Sequence, residues 1–142
     1  MVRREKSVEI KASPEKVWEM LAFDRMPEWM DEWKSVAFTS EVRTPEDKYR
    51  LGASAHVTEM HAKYDMEITE SLENEKFMTR SKISISTMTL TYILKPVEGG
   101  TEVTYACACG GYGIICSICG LFGDKLFGVE SSLNNLKSIL EK

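Results

Sequence analysis

No apolar stretch in this sequence is long enough to cross a bilayer. The longest, Tyr112 to Phe122, is interrupted by Gly113, Ser117 and Gly120 and followed by Asp124 and Lys125. The N-terminal MVRREKSVEI lacks the apolar core of a secretory signal. A cytoplasmic, reducing setting is therefore expected, in which the four cysteines are not to be assumed paired as disulfides. Basic charge is also scarce. Eighteen Lys and Arg stand against 22 Asp and Glu, and the only compact cationic cluster is Arg3, Arg4 and Lys6. Nucleic-acid binding needs clustered cations to neutralise phosphates, so that class is set aside and the cluster reads as a solvated terminal segment. Catalytic signatures are missing too: there is no nucleophile elbow, no phosphate-binding glycine loop and no zinc-protease helix. No repeat, linker or low-complexity segment divides the chain, so one domain over residues 1–142 is expected.

What is present is an ordinary globular mixture, 43% hydrophobic and 28% charged. A chain of this length buries roughly 70% of the surface its unfolded form exposes and needs no covalent staple. Ser7 to Lys11 alternates like a strand. Ser13-Pro14-Glu15 combines a cap, a first-turn proline and a first-turn acid, which predicts a helix over Ser13–Ala22. Asp24 is positioned to cap a second short helix through Asp31, with Pro27 tolerated in its first turn. Strands are predicted at Lys34–Arg43, Leu51–His61, Tyr64–Leu72, Lys76–Ile83, Ser86–Lys95 and Thr101–Cys109. The Gly110-Gly111 pair is expected to break the last strand. Helical spacing then runs from about Gly113 to Glu141. Short connections between strands imply an antiparallel meander.

Three local motifs carry a family resemblance. Val8-Glu9-Ile10 followed by Ala12-Ser13-Pro14-Glu15-Lys16-Val17-Trp18 is similar to the opening strand and first helix of the START/polyketide-cyclase superfamily (SRPBCC, birch-pollen-allergen-like). Pro27-Glu28-Trp29 resembles its proline–x–tryptophan segment, and Gly99-Gly100-Thr101-Glu102-Val103-Thr104 resembles its turn into the last strand. The resemblance spans essentially the whole chain. It implies an α+β helix-grip fold, with a curved antiparallel sheet of about seven strands wrapped around a long C-terminal helix and two short helices after the first strand. The superfamily includes lipid carriers, cyclases, hydroxylase domains and chaperone co-factors, so the fold alone does not choose among them.

A helix-grip sheet and its helix leave a gap between them. Gly113, Gly120, Gly123 and Gly128 lie on less than half of the last helix's circumference, where missing side chains make either a cavity or a close packing face. Eight methionines suit an adaptable lining or gap-filling core. The expected ligand-binding residues are Met26, Trp29 and Met30 on a lid, and Tyr64, Met66, Met88, Leu90, Tyr92 and Tyr105 on inward strand positions. Ile115, Phe122 and Leu126 complete the set on the helix.

If a turn at Ala62-Lys63 pairs Glu59 with Met66 and His61 with Tyr64, Glu59 and His61 point inward as candidate catalytic acid–base groups, while His56 faces solvent. A one-residue slip sends both outward.

Cys107, Cys109, Cys116 and Cys119 flank the glycine-rich corner. They admit three readings: core thiols, a structural zinc site, or a disulfide or redox pair. No metal or cofactor is the first expectation.

The leading functional expectation is binding or transport of a small hydrophobic molecule (lipid, polyketide or isoprenoid-like) by a monomer or homodimer. A cyclase/aromatase-type enzyme and a chaperone-cofactor-like protein-partner module are the alternatives.

Overall fold

The computed structural model describes residues 2–30, 33–59, 62–83, 86–111 and 129–142. The chain begins with β1 (Val2–Ile10), α1 (Pro14–Met20) and a 3₁₀ helix (Phe23–Glu28). Six strands follow: β2 (Trp33–Phe38), β3 (Ser54–Glu59), β4 (Lys63–Leu72), β5 (Lys76–Ile83), β6 (Ser86–Val97) and β7 (Gly100–Gly111). A second 3₁₀ helix, Pro45–Tyr49, sits between β2 and β3. The last described element is α2 (Val129–Leu140). The strands form one antiparallel sheet in the order β1-β7-β6-β5-β4-β3-β2. This is the expected helix-grip α+β fold. Register shifts between Ile68 and Glu70 and between Trp33 and Ser35 mark bulges, which bend and twist a sheet locally.

Several boundaries differ from those expected. β1 starts at Val2 rather than Ser7, because it pairs with β7 along its whole length, from Val2↔Cys109 to Ile10↔Thr101. Arg3, Arg4 and Lys6 therefore belong to an edge strand, with Arg3 and Lys6 solvent-exposed. Arg4 and Lys6 share parity with Val8 and Ile10, and this inward pair of cations hid the strand's alternation. Gly110 and Gly111 do not break β7; they pair with Thr87 and Ser86. Strand backbone needs no side chain, and a Cβ at Gly110 would meet open space. The segment after α1 is a 3₁₀ turn with Pro27 inside it, shorter than the helix expected through Asp31.

Local chemistry explains the connections. Ser13 caps α1, its Oγ accepting from the Lys16 amide at 3.4 Å. Thr44 and Asp47 make a capping box on the second 3₁₀ helix. The Asp47 carboxylate accepts from the Arg43 amide at 2.8 Å and the Thr44 amide at 3.1 Å, and it pairs with Arg50. That turn carries Tyr49, whose ring stacks on Trp18 of α1 at 5.1 Å. Gly99 takes a φ of +83° in the β6–β7 turn, a conformation suited to glycine. Gly100 is required for another reason: a Cβ there would overlap the carbonyl oxygen of Ile10 at the end of β1. α2 is tied to the same corner. Lys137 donates to the Glu9 carbonyl at 2.8 Å, and the Lys11 amide donates to Glu141 at 2.9 Å.

Two outcomes are expected. Gly100→Ala lowers stability by about 2–3 kcal/mol in chemical denaturation, because backbone and not a flexible side chain must move. The amide bonds from Arg43 and Thr44 hold the Asp47 carboxyl below its ordinary pKa. Its contribution is therefore present above the unfolded carboxyl pKa and lost as pH falls through the folded value. Asp47→Asn lowers the melting temperature at pH 7, and the gap to wild type shrinks below about pH 4. A gap that stays constant with pH would contradict this role.

Candidate functional site

Antiparallel register sorts the inner face of the sheet into rows of opposed side chains. Phe77, Tyr92 and Tyr105 form one row across β5, β6 and β7. Ile68, Thr79, Leu90 and Cys107 form the next, and Met66, Ser81, Met88 and Cys109 the one after. Along these strands, bulk falls away from ring to branched aliphatic, hydroxyl, thioether and thiol.

The aromatic row is solid. Tyr92 and Tyr105 stack at 4.7 Å, and Trp29 meets their rings edge-on at 5.8 and 6.4 Å. The Trp29 indole donates to the Met20 carbonyl at 2.8 Å, and Asn135 of α2 donates to the Trp29 carbonyl at 3.2 Å. The Tyr92 hydroxyl reaches the Met30 sulfur at 3.7 Å. Met26 is fully buried among the same elements. Burial pushes the Tyr92 and Tyr105 hydroxyls well above the ordinary tyrosine range, so both stay neutral. Met26, Trp29, Met30, Tyr92 and Tyr105 are thus brought together in one buried cluster.

The two rows beyond have a different character. Thr79 and Ser81 are 0% and 3% exposed, and neither hydroxyl has a hydrogen-bond partner among the described residues. An enclosed hydroxyl in that condition costs about 1–3 kcal/mol. Met88, opposite Ser81, is only partly buried. Tyr64 and Met66 continue this region on β4, and Cys107 and Cys109 bound it on β7. Every charged side chain is absent from the inward positions of β5, β6 and β7 here. The region is apolar with a few hydroxyls, the usual makeup of a small-molecule pocket.

Glu59 reaches it by a different register from the one expected. Ala55, not Glu59, opposes Met66, and Val57 opposes Tyr64. The hairpin closes where the Glu59 amide donates to the Ala62 carbonyl at 2.8 Å, so the turn falls four positions away in register sum from the one expected. An even shift preserves parity, and Glu59 keeps the inward face with Ala55 and Val57. Tyr64 donates to its Oε2. Burial first, and the Glu59 carboxylate second, hold the Tyr64 hydroxyl far above its usual pKa. His56 lies on the outer face, its Nδ1 2.9 Å from Asp65.

His61, Ile115, Phe122, Leu126, Cys116, Cys119 and the four helix glycines lie outside the described residues. Among the described residues, no group of three or more His, Cys, Asp or Glu is placed to hold a metal. Thr79 and Ser81 were not anticipated, although a signal was there. Phe77, Thr79, Ser81 and Ile83 alternate with Met78, Arg80 and Lys82, so the hydroxyls carry the parity of the buried phenylalanine.

Comparison with known proteins places the chain in a wide group. A family model described as polyketide cyclase / dehydrase and lipid transport matches residues 1–141. No curated protein matches. The Helicobacter pylori protein jhp0584 is similar in structure with a TM-score of 0.81 at 9% identity, over 98% of this chain and 88% of that one. The Aha1 dimer from Colwellia psychrerythraea gives 0.68 at 18% identity, over 99% and 97%. Ara h 8.0201 gives 0.72 at 11% identity, over 98% and 97%. At such identities the likeness is one of fold.

Two substitutions distinguish the solid row from its neighbours. Trp29→Ala costs about 3–5 kcal/mol in denaturant unfolding, as for a core aromatic; a loss under about 1 kcal/mol would mark Trp29 as a loose lid. Thr79→Val, which removes the partnerless hydroxyl and keeps the shape, raises the stability of the ligand-free protein by about 1 kcal/mol.

Proposed function

The chain belongs to the polyketide cyclase / dehydrase and lipid transport family, and from that premise we propose that it binds a small, largely apolar molecule against the inner face of the sheet. One observation carries this reading. Beside a solid aromatic row, the same face turns to thioethers, thiols and enclosed hydroxyls, with Met88 only partly buried. A core built for stability alone fills such positions with branched aliphatics and leaves no hydroxyl unsatisfied. Methionines at Met66 and Met88 suit a lining that adapts to a guest. The guest is of the lipid, polyketide or isoprenoid kind, and its job here is to be held or carried.

A catalytic reading has one specific observation in its favour, the hydrogen bond from Tyr64 to Glu59 beside the same region. A buried phenol kept neutral and a neighbouring carboxylate are a plausible acid–base pair for a cyclisation or dehydration. The partner-module reading has less support. The exposed large hydrophobics among the described residues are Leu51, Leu72 and Ile93, and Lys76 separates the last two across the strands.

Binding is tested with the neutral fluorophore N-phenyl-1-naphthylamine together with native and denaturing mass spectra of the purified protein. The expected result is either a co-purified small molecule or saturable, blue-shifted emission, with Met88→Trp weakening the probe at least about tenfold by filling the space. Equal native and denatured masses together with no saturable emission would refute the proposal.

A further inference from the structure

We propose that Thr79 and Ser81 select the ligand: they hold an uncharged oxygen, such as a ketone or ester carbonyl, on an otherwise apolar molecule. This inference rests on the binding reading above and adds to it which atoms of the guest are recognised and by what.

Both hydroxyls are inward on one strand, two residues apart, so they present two hydrogen-bonding groups in line along β5. Both are buried, and neither has a partner among the described residues. Another buried hydroxyl on this sheet gives the contrast. Thr101 Oγ1, fully buried on β7, donates to the Ala12 carbonyl at 2.8 Å. Among the described residues, the hydroxyls enclosed without a partner are those of Thr79 and Ser81. Valine at position 79 and alanine at position 81 would fill nearly the same space without leaving a polar atom unsatisfied, so the hydroxyls are poor choices for packing alone.

Their surroundings restrict the partner. Ile68 and Leu90 flank Thr79, and Met66 and Met88 flank Ser81. No cation stands on the inward positions of β5 or β6. Arg4 ends the Thr79 row on β1, three strands from β5, so a carboxylate or phosphate held at β5 would have no counter-ion on its own strand or an adjacent one. A neutral carbonyl accepts from both hydroxyls without that penalty, and a hydroxyl oxygen on the ligand does so less well because it must also place its own proton. Ser81 is the better placed of the two for a guest, since Met88 opposite it is the partly buried member of its row.

Three naphthalenes of similar shape test this: 2-acetylnaphthalene, 2-isopropenylnaphthalene, in which C=CH₂ replaces C=O, and 2-naphthoate. Affinities come from calorimetry, and the carbonyl stretch of the bound ketone comes from isotope-edited infrared spectra. The ketone is expected to bind about tenfold tighter than the alkene, with naphthoate weakest, and its stretch to move to lower frequency on binding. The conservative double variant Thr79→Val/Ser81→Ala is expected to erase the preference and the shift while leaving the alkene's affinity unchanged. Equal binding of ketone and alkene to the wild type overturns the selection, and so does a preference that survives in the double variant. Either result leaves the binding reading standing. If none of the three binds while N-phenyl-1-naphthylamine does, this inference falls and the binding reading stands; if the fluorophore and the mass spectra are negative as well, both fall.

Discussion

The inner face of an open, seven-stranded antiparallel sheet has to be taken out of water, and what covers each part of it decides what that part is for. α1, the 3₁₀ segment Phe23–Glu28 and α2 cover one end. Trp18 and Phe23 pack on Phe77, Trp29 just after the 3₁₀ segment packs on Tyr92 and Tyr105, and Leu133 joins the same buried cluster. This aromatic block anchors the fold. It ties the chain's first helix to its last: the Trp29 indole hydrogen-bonds within the first, and the Trp29 carbonyl is held by α2. Two adjoining rows, nearly as buried, mix Ile68 and Leu90 with thioethers, thiols and hydroxyls.

Binding and catalysis place different demands on such a face. A carrier needs adaptable apolar surface with a few directional contacts, the role proposed for Met66, Met88, Thr79 and Ser81, which lie in adjoining rows. An enzyme needs a group whose proton moves. The Tyr64–Glu59 pair is the nearest approach to one among the described residues, and burial holds the phenol proton firmly in place. That protonation favours a tyrosine that donates a hydrogen bond over one that acts as a base. On the proposed binding reading, the pair would orient a guest at the edge of the apolar rows.

The sequence was readable wherever alternation and turn chemistry agreed. β6 and β7 showed their inward residues directly, since Leu90, Tyr92 and Leu94 face the same way as Val103, Tyr105 and Cys107 across a Gly-Gly turn. Ser13-Pro14 marked the start of α1 correctly. Reading failed where the inward residue was polar or the turn had no characteristic residues. Arg4 and Lys6 concealed the first half of β1, and Thr79 and Ser81 concealed the inner face of β5. The β3–β4 hairpin closes between Glu59 and Ala62, where neither glycine, proline nor asparagine marks the turn, so its register was misplaced while its parity was not. Met26 and Trp29 are buried, and residue type alone does not tell an aromatic lid from an aromatic core.

The methionines allow the central claim to be tested directly, since they lie both in the solid block and in the rows beside it. In a protein carrying ¹³C-methyl methionine, titration with N-phenyl-1-naphthylamine should shift the resonances of Met66 and Met88 and leave those of Met20 and Met26 in place. Shifts confined to Met20 and Met26, or no shift at any of the four at saturating probe, would contradict the assignment of the guest to the hydroxyl and thioether rows of the sheet.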